Sequence, residues 1–137
     1  MLRAMRVAAV VAVLVAYVFY GSHGTFRFPL GPWGQSYYAN LAEGFLQGRL
    51  SMAAAPAEEL GRLADPYDFE QRRDIPVLWD ASYFEGRYYL YFSPLPALLF
   101  YAPVRLVAGA YPSDDFAACF FACISMSTPM IRIPTST

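Results

Sequence analysis

The clearest pattern of apolar and polar positions along the chain covers residues 77–92. Two runs rich in aromatic and β-branched residues flank Glu85-Gly86, an arrangement typical of a β-hairpin with a two-residue turn. A turn at these two residues determines the register of the strands. The predicted pairs are Phe84 with Arg87, Tyr83 with Tyr88, Ser82 with Tyr89, Ala81 with Leu90, and Asp80 with Tyr91.

Side chains alternate between the two faces of such a hairpin. The first face is apolar and consists of Trp79, Ala81, Tyr83, Tyr88, Leu90 and Phe92. The second face, called the polar face below, consists of Asp80, Ser82, Phe84, Arg87, Tyr89 and Tyr91. Because an isolated hairpin is only marginally stable in water, we expect the apolar face to be covered, either by the apolar run that follows or by a bilayer interface.

An uncharged apolar segment, residues 7–20, follows Arg3 and Arg6. Counted from Leu2, with both arginines reaching toward the lipid headgroups, about 19 residues at 1.5 Å each span roughly 28 Å. No cleavage site with small residues follows the segment, which favours an uncleaved transmembrane signal anchor at residues 1–20 over a cleaved signal peptide. The flanking arginines predict a protein of the inner (cytoplasmic) membrane, with its N-terminus in the cytoplasm and its loop outside the cell membrane.

Further helices are predicted, including an alanine-rich one that starts at Pro56. Ser36 caps an amphipathic helix, whose apolar stripe consists of Tyr38, Leu41, Ala42, Phe45, Leu46 and Leu50. A helix that opens at Ser93-Pro94 is bent by Pro103 and closed by Gly109. The last apolar helix, residues 116–126, is too short to cross a bilayer.

These elements predict a membrane fold that is mainly α-helical. Its parts are a transmembrane signal anchor (1–20), an external loop with juxtamembrane amphipathic helices and the hairpin (21–93), an interfacial or re-entrant helix (94–111), and an incomplete second transmembrane helix with an irregular tail (112–137). The tail has neither hydrophobic period nor turn chemistry. We therefore expect the chain to be a truncated or frame-altered fragment of a longer multi-pass protein.

Composition supports the membrane prediction and excludes several classes of function. The chain is 57% hydrophobic and only 15% charged, which is too apolar for an ordinary soluble domain of this size. Arginines scattered among acidic residues, with a net charge of -1, do not form the basic patch that binds nucleic acid. The sequence contains no phosphate-binding glycine loop, no nucleophile–histidine set and no metal-ligand motif.

Three segments together resemble a known family. They are YYANLAEGFLQGRLSM (37–52), DPYDFEQR (65–72) and WDASYFEGRYYLYFSPLPALLFYAPVRLVAG (79–109). They are similar to the first external loop of bacterial multi-pass proteins of the C-type glycosyltransferase superfamily, relatives of the dolichyl- and undecaprenyl-phosphate-sugar transferases. The resemblance implies transfer of a sugar from a polyprenyl-phosphate carrier, with the lipid bilayer and that carrier as partners. No cofactor is evident, and a requirement for a divalent metal stays open.

The resemblance also implies a catalytic carboxylate shortly before the tyrosine motif. The corresponding stretch, residues 31–36, contains Gln35 and no acid, and an amide cannot act as a general base. Activity of this chain alone is therefore not expected. The alternative function is that of a small non-enzymatic membrane protein whose external loop binds a partner or supports an assembly.

Other charged residues are candidates for the site. Asp80 is the first choice for a catalytic carboxylate because it lies on the hairpin, opposite a tyrosine, and Asp65 and Asp68 in a turn come next. Arg72 and Arg87 are candidate ligands of a phosphate. The structural alternative is a solvated or hydrogen-bonded role for each aspartate and a charge-balancing role for each arginine.

Overall fold

A computed structural model describes residues 2–32 and 36–127 of the chain. The α-helices are α1 (Leu2–Gly21), α2 (Tyr37–Leu46), α3 (Ala102–Ala108) and α4 (Asp114–Ser127), and the strands are β1 (Leu30–Gly31), β2 (Ala81–Phe84), β3 (Arg87–Leu90) and β4 (Tyr111–Pro112). A 3-10 helix at Glu58–Arg62 and a π-helix at Ala97–Tyr101 complete the elements. The chain divides into two compact units, one of Met1–Pro29 with Ser113–Thr137 and one of Leu30–Pro112.

The predicted membrane fold is wrong, both in its signal anchor at residues 1–20 and in its incomplete second transmembrane helix. No helix within residues 2–32 and 36–127 is long and apolar enough to cross a bilayer. The N-terminal helix itself forms over Leu2–Gly21, but its estimated apolar length included the turn that carries Arg3 and Arg6. The uncharged part, residues 7–20, spans about 21 Å, whereas a hydrocarbon core is about 30 Å thick.

In the first unit, α1 and α4 pack against each other. A Cβ atom at Gly21 would overlap the Sγ atom of Cys119, so glycine permits this close approach. The Cys119 thiol lies 3.5 Å from the carbonyl oxygen of Tyr17 and donates to it. Burial raises the pKa of this thiol, which keeps it protonated and fits a packing role.

In the second unit, Ser36 and Asn40 organise the start of α2. The Ser36 hydroxyl accepts a hydrogen bond from the Ala39 N–H at 3.1 Å, which confirms the predicted N-cap. Asn40 is buried, and its amide oxygen accepts from the Ala54 N–H at 3.1 Å while its amide nitrogen donates to the Ser36 carbonyl at 2.9 Å. One buried amide therefore joins the helix to the segment that follows it.

That segment runs back across α2 and reaches the hairpin. A Cβ atom at Gly44 would overlap the Ser51 carbonyl oxygen, so the backbones approach as closely as a glycine allows. The next residue, Met52, is almost completely buried and donates its N–H to the Tyr88 carbonyl of β3 at 2.9 Å. The second unit is thereby assembled around α2, this crossing segment and β3.

The predicted hairpin register is confirmed. The strands β2 and β3 are antiparallel, with Ala81, Ser82, Tyr83 and Phe84 opposite Leu90, Tyr89, Tyr88 and Arg87. Glu85 and Gly86 have φ angles of 46° and 74°, the pair of positive values that a type I′ turn requires. The local turn chemistry was therefore sufficient to define the pairing.

The helix after the hairpin is continuous over residues 95–108. It ends as predicted at Gly109, which has a φ of 72° and donates its N–H to the Arg105 carbonyl. Pro103 has no N–H to donate to the carbonyl four residues earlier, and a π-helical segment, Ala97–Tyr101, comes just before it. Beyond the helix, β4 pairs with β1.

Candidate functional site

The polar face of the hairpin is the surface where polar and aromatic side chains concentrate. The confirmed register and the alternation of side chains put its six members on one side of β2 and β3. Asp80, Phe84, Arg87 and Tyr91 are exposed, and Ser82 and Tyr89 are half-buried. On the opposite side Tyr88 is 3% exposed, whereas Trp79 and Phe92 are 67% and 48% exposed. The apolar face is therefore covered around Tyr88 but not at its ends, and the polar face is open to a ligand.

Asp80 and Tyr91 form the best-defined contact on this face. The Tyr91 hydroxyl donates to an Asp80 carboxylate oxygen at 3.3 Å, so the pair that the register predicts is present. Partial desolvation and the Asp80 charge raise the pKa of the Tyr91 phenol, which keeps the hydroxyl protonated. The second carboxylate oxygen of Asp80 has further acceptor capacity for a hydroxyl ligand.

Arg87 lies at the other end of the same face, beside the turn. Tyr91 is four positions further along the chain, a distance of about 14 Å along a β-strand. Phe84 lies opposite Arg87 at the turn end, and its ring meets the ring of Tyr89 edge to face with centroids 6.5 Å apart. The face therefore offers an acceptor beside the Tyr91 ring at one end, a guanidinium beside the Phe84 ring at the other, and the Tyr89 ring between them.

Asp65 and Asp68 are used in the turn that contains them. An Asp65 carboxylate oxygen accepts the Tyr67 N–H at 2.8 Å, and an Asp68 carboxylate oxygen accepts the Glu70 N–H at 2.9 Å. The other Asp68 oxygen accepts from the Gln71 amide at 2.9 Å. These hydrogen bonds engage both carboxylates within the turn, as is common for aspartates in turns. Neither carboxylate contacts Asp80.

Arg72 lies on a different side of the hairpin from Arg87. Its guanidinium carbon is 5.4 Å from the centroid of the Trp79 ring, and Trp79 belongs to the apolar face. The Nε atom is buried without a hydrogen-bond partner among the described residues. The two predicted phosphate ligands are therefore not brought together, and only Arg87 shares a face with Asp80. Gln35, which stands where the family carries its acid, lies outside the described residues.

An apolar cavity of about 350 Å³ lies behind the covered face of the hairpin. Its walls are Ala54, Ala55, Pro56, Ala57, Pro76, Val77, Leu78 and Tyr88. Burial raises the pKa of the Tyr88 phenol, and the backbone of Leu78 offsets part of this rise. The Tyr88 hydroxyl has no hydrogen-bond partner of normal geometry among the described residues. This cavity has the volume of a small-ligand site but presents no charged group in its walls.

A separate group of polar side chains consists of Glu43, Tyr111 and Arg105. The Tyr111 hydroxyl donates to a Glu43 carboxylate oxygen at 2.7 Å, and the Arg105 Nε atom lies 3.9 Å from the same oxygen. Glu43 is not a member of the apolar stripe predicted for α2. Sequence reasoning missed this group because no local signal joins residues so far apart along the chain.

Within residues 2–32 and 36–127 no three histidine, cysteine or acidic side chains come close enough together to hold a metal ion. Comparison of the chain with protein-family models, with curated proteins and with solved structures finds no match.

Proposed function

We propose that the polar face of the hairpin binds a sugar phosphate, and that the chain serves as the substrate-binding part of a glycosyltransferase-like protein. The observation that carries the proposal is the Asp80–Tyr91 hydrogen bond on the same exposed face as Arg87. The family resemblance supports the same chemistry, since it implies a sugar carried on a polyprenyl phosphate.

A sugar offers hydroxyl groups at its rim and apolar C–H groups on its ring faces. Carboxylates and phenols bind the hydroxyls because they combine strong acceptors with a donor, and aromatic rings cover the apolar faces. The Asp80 end of the polar face has both kinds of group: Asp80 and Tyr91 are hydrogen-bonded to each other, and Tyr91 is 61% exposed. We therefore assign the sugar to the half of the face that holds the aspartate.

A phosphate requires a positive group with several donors. Arginine suits this role because its planar guanidinium forms paired hydrogen bonds with phosphate oxygens. Arg87 is exposed beside the turn, about 14 Å along the strand from Tyr91. We assign the phosphate to this arginine, whereas Arg72 is engaged with Trp79.

The same observations argue against transfer by this chain alone. A general base is normally desolvated in a cleft beside the group from which it takes a proton, whereas Asp80 is exposed. Asp65 and Asp68 are occupied by turn hydrogen bonds. Binding, and not bond cleavage, is the activity proposed for these residues.

The test is a titration of the full chain with glucose 1-phosphate, glucose and inorganic phosphate, followed by NMR of the tyrosine ring signals. Glucose 1-phosphate is expected to shift the signals of Tyr89 and Tyr91 first. Asp80→Asn is expected to weaken glucose and glucose 1-phosphate at least fivefold and to leave phosphate binding unchanged. Arg87→Gln is expected to weaken phosphate and glucose 1-phosphate and to leave glucose unchanged.

Arg73→Gln is the matched control, because Arg73 is an exposed arginine that lies 3.6 Å from Glu70 and outside the polar face. It is expected to bind all three probes as the wild type does. Equal weakening by Arg73→Gln and Arg87→Gln would mean that only overall charge matters. Absence of any shift at Tyr89 and Tyr91 with glucose 1-phosphate would refute the proposal.

A second candidate function is that of a partner-binding module without chemistry. The observation in its favour is an uncharged surface on the helix at residues 95–108, where large side chains are exposed: Leu95, Leu98, Leu99, Leu106 and Val107. Contiguous apolar surfaces of this kind mark interaction sites. Leu95→Gln combined with Leu99→Gln is expected to lower association of the chain in sedimentation velocity without changing the sugar-phosphate titration, which separates the two functions.

A further inference from the structure

We propose that Tyr67 closes the free edge of β2 and so prevents the hairpin from pairing with a second copy of the chain. The proposal concerns a residue outside the polar face and does not depend on the proposed sugar-phosphate binding. It assigns a role to the turn at residues 65–68, whose acidic side chains the functional proposal leaves unused.

The Tyr67 hydroxyl forms two hydrogen bonds with the backbone of one strand residue. It donates to the Tyr83 carbonyl at 2.7 Å and accepts from the Tyr83 N–H at 2.8 Å. A neighbouring β-strand would offer the same donor and acceptor to the same two groups. The phenol therefore takes the place of a third strand at this point.

The register explains why these two backbone groups are available. In an antiparallel pair, hydrogen-bonded and non-hydrogen-bonded pairs alternate. Phe84 and Arg87 flank the two-residue turn and form a hydrogen-bonded pair, so Tyr83 and Tyr88 form the next, non-hydrogen-bonded pair. Both backbone groups of Tyr83 then point away from β3. On the other edge, the Tyr88 carbonyl points outward in the same way and accepts from Met52.

The turn holds Tyr67 in the position that this contact requires. The Asp65 carboxylate accepts the Tyr67 N–H, and the Asp68 N–H donates to the Asp65 carbonyl at 3.2 Å. The Tyr67 side chain itself is 54% exposed. Packing alone therefore contributes little to its position, and the two hydrogen bonds to Tyr83 are what attach it to the edge.

A second copy is the occupant that the bare edge would attract. Edge strands commonly carry a proline, a charged side chain or a bulge that prevents pairing with another chain, and the sequence of β2, Ala-Ser-Tyr-Phe, contains no proline or charge. Two identical edges can pair antiparallel about a two-fold axis, since each then offers the groups that the other needs. The result would be a four-stranded sheet formed from two hairpins.

The test is the variant Tyr67→Phe, which keeps the ring and removes the hydroxyl. It is expected to speed hydrogen exchange of the Tyr83 amide at least tenfold at low protein concentration and to form a concentration-dependent dimer in sedimentation velocity. Tyr20→Phe is the control, because Tyr20 is a tyrosine of α1 that is 78% exposed. This control is expected to match the wild type in both measurements.

A second variant tests whether the dimer uses the β2 edge. Ala81 lies opposite Leu90 in another non-hydrogen-bonded pair, so its N–H also points outward and proline at this position removes no bond of the hairpin ladder. Adding Ala81→Pro to Tyr67→Phe is expected to restore the association state of the wild type. The proposal is overturned if Tyr67→Phe does not dimerise, if Tyr83 exchange is unchanged, if proline leaves the dimer intact, or if Tyr67→Phe loses the far-ultraviolet circular dichroism of the folded chain.

Discussion

The Tyr111 hydroxyl donates a 2.7 Å hydrogen bond to the Glu43 carboxylate across 68 residues of sequence. The same carboxylate accepts from the Gln47 amide at 3.0 Å and lies 3.9 Å from the Arg105 Nε atom. One acidic side chain thereby connects α2, α3 and β4. The polar face of the hairpin belongs to the unit that these contacts hold together.

Glu43 gives the stability of the chain a specific pH dependence. The Tyr111 hydrogen bond, with smaller effects of Gln47 and Arg105, lowers the pKa of Glu43, against an opposing effect of burial. A carboxyl whose pKa is lower in the folded state stabilises the fold above its unfolded pKa, about 4.3 for glutamate. This contribution is lost as the pH falls from that value through the folded pKa.

We therefore expect Glu43→Gln to have a shallower loss of unfolding free energy than the wild type below about pH 4.3. Urea unfolding measured at a series of pH values checks this. Glu58→Gln is the control, since Glu58 is a solvent-exposed residue paired at 3.3 Å with Arg62. Parallel pH curves for Glu43→Gln and the wild type would contradict the assignment.

Two buried tyrosines are expected to differ in how much stability depends on the hydroxyl. Tyr111→Phe removes the bond to Glu43 and should lower the free energy of unfolding by about 1–3 kcal/mol. Tyr88→Phe removes a buried hydroxyl that has no partner among the described residues and should change stability by less than about 0.5 kcal/mol or increase it slightly. Chemical denaturation of both variants side by side decides the matter, and equal losses would be the contrary result.

Gly44 is expected to tolerate no side chain. A Cβ atom there would overlap the Ser51 carbonyl oxygen, which is backbone and cannot rotate away. Gly44→Ala should therefore cost about 1–3 kcal/mol despite the better helix propensity of alanine. Gly31→Ala serves as control because a Cβ at Gly31 meets nothing within 4 Å. Thermal unfolding that ranks Gly31→Ala as the more harmful change would refute the close approach.

Asn40 is expected to be the costliest polar side chain of α2 to remove. Asn40→Ala leaves the Ala54 N–H and the Ser36 carbonyl without their side-chain partner inside the protein, at about 1–3 kcal/mol. Gln71→Ala removes an exposed hydrogen bond to Asp68 and should change stability by less than about 0.5 kcal/mol. The two variants are compared by urea unfolding, and a loss at Gln71 as large as that at Asn40 would show that burial is not the cause.

Where the determining interactions are local, sequence reasoning predicted the structure. The turn at Glu85-Gly86 defined the strand pairs, the Ser36 side chain capped α2, and Gly109 closed the following helix. Each of these features depends on residues within a few positions of one another. The juxtaposition of Asp80 and Tyr91 in the candidate site followed from the register alone.

The burial of α2 was predicted less well. Its apolar stripe included Leu46 and Leu50, which are 40% and 81% exposed, whereas Asn40 and Gly44 are buried. The spacing of apolar residues defines a helical face, but the segment that crosses the helix decides which side is covered. Here the crossing depends on the buried amide of Asn40 and on the absence of a side chain at Gly44. Neither feature is visible in a hydrophobic pattern.

Local rules were enough to predict the hairpin, its register, the start of α2, the helix end at Gly109 and the membership of the polar face, because turn geometry and alternation act over short distances. Three contacts required the folded chain: the Tyr67 hydroxyl on the β2 edge, Arg72 over Trp79, and Glu43 beside Tyr111. Those contacts join residues distant along the chain, and hydrogen-bonding partners at that separation are selected by how the whole second unit packs.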